Sequence, residues 1–325
     1  MKFGFIPILV SLAFAWDVPA TFAEEFRIGT WNIEWLGFPD KRGRPGKDIE
    51  QNPSDLASYI ADANLDVLAI EEIGVDRIAP PWTSKPFEQV IDELRVKHGQ
   101  TWKYILFAKA NYPDGTDDFI TRGQHVGLAW RSDRARMVGE PLSISTGENE
   151  TYGIKFWERR ANAVKLSFGE GKTDVVFVPV HLKSNRNDAN PSDKDFTQEQ
   201  RKAELQVFAQ QFRSIKDHFR DEDIVLLGDT NILEPENETA RPLIEAGLKD
   251  LNENDQGTTA AWGQGYSSAP FDRIFVPATQ FEFASSVQKI HRTKNGTDEE
   301  IKDFKKRLSD HYLVSSTIQV TNDDD

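Results

Sequence analysis

Acids, amides and histidines that could work on a phosphate ester stand at the ends of apolar runs in this sequence. The clearest case is Ile224 to Ile232, IVLLGDTNI, whose apolar residues lack alternation and so suit a strand buried on both faces. The run stops at Gly228 and displays Asp229, Thr230 and Asn231 at its carboxyl end, where open α/β sheets tend to bind ligands. There Asp229 could accept a proton or hold a cation, and Asn231 offers an amide donor to an oxyanion. The same pair could equally close an Asx-turn. Recurrence of the pattern along the chain is what favours chemistry.

The opening run Phe26 to Trp31 delivers Asn32 and Glu34, with Asn32 a candidate metal or phosphate contact. Asp66 to Ile70 ends at Glu71 and Glu72. Neighbours on a strand point to opposite faces, so one carboxylate enters the site, and Glu72 shares the face of Ile70. A hard cation such as Mg²⁺ takes one or two protein carboxylates, with waters and phosphate oxygens completing its shell. Asp174 to Val180 runs out at His181, and Lys183 on the same face completes a phosphate-facing pair. Arg159 and Arg160 precede another strand, where arginine suits bidentate phosphate binding and, beside Glu158, suits a surface ion pair equally well. Asp272 sits near the start of the alternating run Phe271 to Val276. Asp310 followed directly by His311, at the entrance of the last strand, is a second proton-transfer candidate.

Helices and further strands must position these residues. Apolar spacing predicts helices over Ser54 to Asn64, with Ser54 as N-cap, over Phe87 to Val96, and over Gln198 to Phe219 with Leu205, Phe208, Phe212 and Ile215 as its apolar face. Strands are predicted over Trp102 to Ala108, Val126 to Trp130 and Tyr312 to Val320. Lys41 to Pro53, Asn111 to Gln124 and Arg186 to Thr197 read as loops, the second long enough to border a site. Lys294 to Arg307 reads as a charged peripheral insertion.

Composition narrows the options. The 325 residues are 38% hydrophobic and 11% aromatic, enough for a sizeable core. The absence of cysteine excludes disulfides, thiol nucleophiles and thiolate zinc sites. A formal charge of -14 argues against a large basic surface, so affinity for a polyanion would come from a local patch and bound cations. Met-Lys, an apolar run from Phe3 to Ala15 and small residues at Thr21-Phe22-Ala23 resemble a secretory signal cut after Ala23. The expectation is a secreted or periplasmic protein with a signal over 1–23, a single catalytic domain over 24–321 and a disordered tail over 322–325. No later run is long enough to span a bilayer, so no stable membrane insertion is expected, and no protein partner is inferable.

The segments TWNIEWL, AIEEI, ERRANAVKLS, VPVHLKS, LLGDTN, FDRIFV and LSDHYLV together resemble the endonuclease/exonuclease/phosphatase superfamily, in its order and across nearly all of the chain after the signal. The resemblance implies a four-layer α/β sandwich, two packed mixed β-sheets flanked by helices. It implies Mg²⁺ or Mn²⁺ on Glu72 with Asn32 and Asp310 close by and Glu34 a further ligand candidate, Ca²⁺ being an alternative structural ion. By the same resemblance His311 is oriented by Asp272, Asp229 and Asn231 position water and the developing oxyanion, and His181 serves a phosphoryl oxygen or the leaving group. Arg159 matches a basic position near the phosphate. Ala161 stands where deoxyribonuclease-like proteins have proline, which leaves Arg159 and Arg160 both in play.

Within that superfamily, the export signal, the HLKS segment with its Gln-rich helix and the register around Arg159 resemble secreted bacterial nucleases. The expected substrate is therefore nucleic acid, DNA or RNA. The alternatives are a sphingomyelinase-like or inositol-phosphate-type phosphodiesterase or phosphatase, and a catalytically silent binding module. The first lacks an apolar aromatic hairpin for entering a bilayer, with tryptophans such as Trp82 and Trp262 scattered instead.

Overall fold

The computed structural model describes residues 24–37, 50–76, 80–107, 123–144, 148–149, 154–155, 159–185, 194–233, 238–261, 263 and 267–323. The expected export signal, the end of the tail, Trp262 and most of the three long loops lie outside the described residues.

Strands β1 (Glu24–Leu36), β2 (Val67–Ile73), β3 (Trp102–Leu106), β4 (His125–Arg131), β13 (Lys289–Ile290) and β14 (Val314–Val320) form a six-stranded sheet in the order β13-β14-β1-β2-β4-β3. A second six-stranded sheet has the order β11-β12-β10-β9-β8-β5. Its members are β5 (Arg136–Ser143), β8 (Asn162–Ser167), β9 (Asp174–His181), β10 (Ile224–Asp229), β11 (Leu248–Asp250) and β12 (Asp272–Pro277). Two short strands, β6 (Glu148–Asn149) and β7 (Ile154–Lys155), pair with each other. Both large sheets are mixed, with β1 and β2 parallel and β9 and β10 parallel beside antiparallel neighbours.

Alternation sorts the side chains into layers. In β10, Val225 and Leu227 face the core between the sheets, while Ile224 and Leu226 face helices on the outside. In β1, Phe26 and Ile28 face inward, and Trp31 and Ile33 face outward. Helices α1 (Pro53–Ala63) and α2 (Lys85–His98) cover the first sheet through Leu56, Ile60, Phe87, Val90 and Leu94. The second is covered by α3 (Lys194–Phe219) and α4 (Arg241–Glu245) through Leu205, Phe208, Ile215 and Leu243. Each such fully buried side chain contributes about 1.5–3 kcal/mol relative to exposure, which is what holds four layers together. The sandwich is the one the sequence implies.

Local departures are instructive. The cap of α1 is Asn52, not Ser54: Pro53 occupies the first helical turn, and the Asn52 side chain accepts the Asp55 N–H at 2.8 Å. The charged stretch before the last strand contains α5 (Asp298–Arg307), anchored by Phe304 packing edge-on against Tyr59 and tilted against Tyr312. Asn322, expected in the tail, bridges to Lys172.

Candidate active site

The site forms where strands end, and irregular backbone aims its side chains. Between Asn32 and Leu36, β1 carries more residues than the facing stretch of β2, and within that bulge Glu34 and Trp35 have φ of 46° and 59°. A second bulge, between Ile70 and Ile73 against β4, contains Glu72 with φ 58°. Simple alternation therefore is not what sends Glu72 into the cleft, although Glu72 is the carboxylate that arrives. Glu71 stays buried, its Oε1 accepting the Thr30 hydroxyl at 2.7 Å. In the second sheet, Gly228 has φ 150°, and a Cβ there would collide with the Val180 carbonyl, so only glycine lets β10 lie this close to β9. Register then sets His181, Asp229 and Asp272 side by side across three strands.

The side chains converge in a cleft of about 430 Å³. Asn32 donates to Asp229 Oδ2 at 3.0 Å and to Glu72 Oε1 at 3.2 Å, coupling the two sheets. Asp229 Oδ2 lies 3.3 Å from His181 Nε2 and 4.0 Å from His311 Nε2, while its Oδ1 accepts the Asn231 N–H at 3.0 Å. His311 Nδ1 sits 2.9 Å from Asp272 Oδ2, and the Thr258 hydroxyl donates to that same oxygen at 2.5 Å. Asp310 Oδ1 is 4.0 Å from His311 Nε2, and its N–H is held by Glu34 Oε2 at 3.0 Å. Asp229 is thus an acid beside His181.

Burial shapes the charges. Burial, then the neighbouring Asp310, pushes Glu72 up to about 7, with Asn32 and His311 pulling the other way. Burial likewise raises Asp229, and it raises Glu71 well above the usual carboxylate range. For His311 burial works against the imidazolium, yet Asp272, by charge and hydrogen bond, together with Asp229 and Asp310 outweighs it and holds the ring well above its ordinary value. The acids facing His311 thus favour its imidazolium form.

A divalent cation fits this surplus of carboxylate. Glu72 Oε2 is buried without a hydrogen-bond partner, which leaves a carboxylate oxygen free to hold a cation. Among the described residues no three His, Cys, Asp or Glu side chains form a ready cage for an ion.

The two expected phosphate contacts differ. Lys183 lines the cleft. Arg159 lines it as well but is 4% exposed, and its guanidinium donates to His181 O at 2.9 Å, Leu182 O at 2.8 Å and Gln124 Oε1 at 3.2 Å. Arg160 is not among the lining residues. Sequence reading missed Trp35, Gln124, Asn185 and Phe271 on the cleft wall, and Thr258 behind Asp272. It also missed Arg201 and Glu204 of α3, which hold the Lys183 carbonyl and N–H, each at 3.0 Å. Gln124, Thr258, Arg201 and Glu204 adjoin none of the apolar runs by which the others were found. A larger hollow of about 810 Å³ beside α2, β3 and β5 shares none of the cleft's residues.

No protein-family model matches the sequence, and no curated protein matches it. Solved structures do match. An endonuclease/exonuclease/phosphatase from Bacteroides vulgatus superposes with a TM-score of 0.57 at 17% identity, covering 92% of this chain and 100% of that one. The chain has the endonuclease/exonuclease/phosphatase fold. The same fold is seen in the human nocturnin catalytic domain with bound sulfate, at TM-score 0.57, 14% identity and coverage of 91% and 95%. Humanized D. rerio TDP2 matches at TM-score 0.56, 18% identity and coverage of 91% and 99%. Against the endonuclease/exonuclease/phosphatase fold, the cleft described above lies at the strand ends of both sheets.

Proposed function

We propose that the chain is an exported, divalent-metal-dependent phosphodiester hydrolase whose substrate is nucleic acid, DNA or RNA. The observation that carries the reading is the row His181, Asp229, Asp272 with His311 fixed on Asp272, because it offers an acid between two imidazoles at one cleft. A neighbour of this fold, D. rerio TDP2, has been solved with a single-strand DNA product, which supports nucleic acid as the class to test.

A phosphodiester anion resists attack by water, so its charge must be met and its nucleophile aligned. A cation on Glu72, with Asn32 and Asp310 beside it, would supply Lewis acidity toward the phosphate oxygens. Glu34, holding the Asp310 N–H, would keep that acid in place. His311, an imidazolium locked by Asp272, would donate from Nε2 to a non-bridging oxygen. Asp229 would orient the attacking water, its raised proton affinity favouring proton acceptance. His181 would serve a phosphoryl oxygen or the leaving alkoxide. Asn231 donates to Leu182 O at 3.3 Å and would turn toward the oxyanion only by giving up that bond. Lys183 would meet the phosphate as a point charge, while Arg159, gripping the carbonyls of His181 and Leu182, would hold the strand end that carries them.

The test uses the chain from Glu24 on plasmid DNA, single-stranded DNA and RNA, and sphingomyelin vesicles, with Mg²⁺, Mn²⁺ or EDTA. Metal-dependent cleavage of nucleic acid is expected, falling roughly 10²–10⁴-fold in Asp229→Asn or His311→Ala. Cleavage that survives EDTA, or turnover of the lipid alone, would overturn the assignment.

A further inference from the structure

The outer face of the first sheet carries a second charged hollow, away from the cleft and with no part in the reaction proposed above. Register places Arg27 of β1 opposite Thr317 of β14, and Lys289 of β13 opposite Ser315. Val314 and Ile318 of β14 face the core between the sheets, so Ser315 and Thr317 face away from it. Two cationic side chains therefore flank a row of hydroxyls. His291 closes one side, with its N–H on Leu313 O at 2.9 Å and its Nε2 2.8 Å from Ser315 Oγ. Together with Ser285 and Glu25 these residues wall a hollow of about 300 Å³, some ten times the ~30 Å³ share of a liquid water.

Two cations without an ion pair meet on the wall of this hollow. Arg134, Lys165, Arg273 and Arg307 each stand within ion-pair distance of a carboxylate. Among the described residues Arg27 and Lys289 have no such partner, and Glu25 on the same wall pairs with neither. His291 registers both cations: burial first, then Lys289 and Arg27, push its pKa down to about 4. The ring is thus neutral at pH 7, and two positive side chains remain uncompensated in a chain of net charge -14. Clustering like charges on one sheet face costs stability unless something between them carries the opposite sign.

We propose that this hollow binds a tetrahedral oxyanion of the phosphate type, clamped between the Arg27 guanidinium and the Lys289 ammonium over the hydroxyls of Ser315 and Thr317. Arg27 supplies a planar fork and Lys289 a rotatable charge, with the serine and threonine hydroxyls as neutral donors. The anion comes either as free phosphate or as the phosphodiester of a nucleic acid strand passing over this face.

The His291 ring is a local reporter that the cleft does not touch. Its NMR signals are followed while inorganic phosphate replaces chloride at constant ionic strength. A saturable shift is expected with phosphate and not with chloride, and Arg27→Met and Lys289→Met should each weaken it about tenfold, the worth of one charge-assisted hydrogen bond. Adding a single-stranded oligonucleotide then distinguishes the sources: displacement of phosphate at His291 assigns the site to a strand backbone, and its failure assigns it to the free ion. Should one variant misfold, the other decides. A shift that never saturates, that chloride reproduces, or that both folded variants retain in full would overturn the proposal. All arms are run in EDTA, where the proposed hydrolysis stops, so the outcome is separate from that of the active site.

Discussion

Strands β9 and β10 begin in one buried cluster of charge and end in another, and the two are satisfied differently. At the starting end Lys165 Nζ lies 2.9 Å from Asp174 Oδ1, 3.1 Å from Asp221 Oδ2 and 3.3 Å from the Phe219 carbonyl. Burial lowers the Lys165 proton affinity, but Asp174 and Asp221 more than restore it; burial also pushes Asp221 up to about 8 against the pull of Lys165, so the geometry of three groups within 3.1 Å is what marks this cluster as closed. At the far end Glu72 Oε2 has neither a hydrogen bond nor, among the described residues, an ion pair, whereas Asp174 and Asp221 lie within ion-pair distance of Lys165, and Glu34, Trp35, Glu72 and Asn231 all have positive φ. Left-handed backbone at residues other than glycine costs about 1–2 kcal/mol each, which persists where surrounding structure imposes it. Buried charge alone therefore does not mark a site; unanswered charge on strained backbone does.

The strongest way to break this contrast is to remove one residue from each end. Lys165→Met strands Asp174 and Asp221 without a cation, and a loss of about 3–5 kcal/mol in denaturant unfolding is expected, with hydrolysis per folded molecule unchanged. Asp229→Asn should do the reverse: hydrolysis falls steeply while the melting temperature holds or rises, because a carboxylate that burial disfavours has been replaced by its neutral isostere. If the two variants lost stability equally, the distinction between a closed cluster and an open one would fail.

How much of this was legible in the sequence follows from the same distinction. Asp229, His181 and Asp272 announce themselves because each ends or opens an apolar run, and the strand that carries a residue also fixes its register. The sandwich was legible through the family resemblance of the ordered motifs, whereas the unalternating apolar runs by themselves say only that their strands are buried on both faces. What escaped depends on long-range closure. Nothing near Thr258 in the chain foretells that its hydroxyl backs Asp272 fourteen residues away, and nothing near Arg201 foretells the Lys183 peptide. The resemblance matches Arg159 to a basic position near the phosphate, but only folding shows its nitrogens bonded to carbonyl oxygens and lining the cleft where Arg160 does not. Glu72 arrived through a bulge that alternation does not contain.

A smaller effect comes from His291, which sits in neither cluster. Its folded pKa, pushed down to about 4 by burial and by Lys289 and Arg27, lies below the 6.5 of an unfolded histidine. Between those values the unfolded chain binds the extra proton, so this residue's contribution is present above about pH 6.5 and is lost as pH falls toward 4. Melting temperature plotted against pH should therefore drop less steeply through that window in His291→Asn than in the parent chain. The ring is partly exposed, so the change should be well below that of Lys165→Met. Parallel curves would show that the acid limb belongs to carboxylates alone.

The smallest expected effect tests whether lying at the cleft end is itself enough to matter for chemistry. Asn52 caps α1 next to Gln51, whose amide donates to Ile33 O at 2.5 Å and Leu308 O at 2.7 Å, so the cap adjoins the bulge that presents Glu34. Asn52→Ala removes the acceptor for the Asp55 N–H and should cost about 1 kcal/mol. Ser54→Ala, at the position the sequence suggested, loses only hydroxyl contacts on the helix surface and should cost less. Neither should alter hydrolysis per folded molecule, because no charge or strained residue of the cleft depends on the cap. A rate loss in Asn52→Ala beyond its unfolded fraction would mean that the bulge transmits helix position to Glu34 and Asp310, and the boundary of the site would then have to include the start of α1.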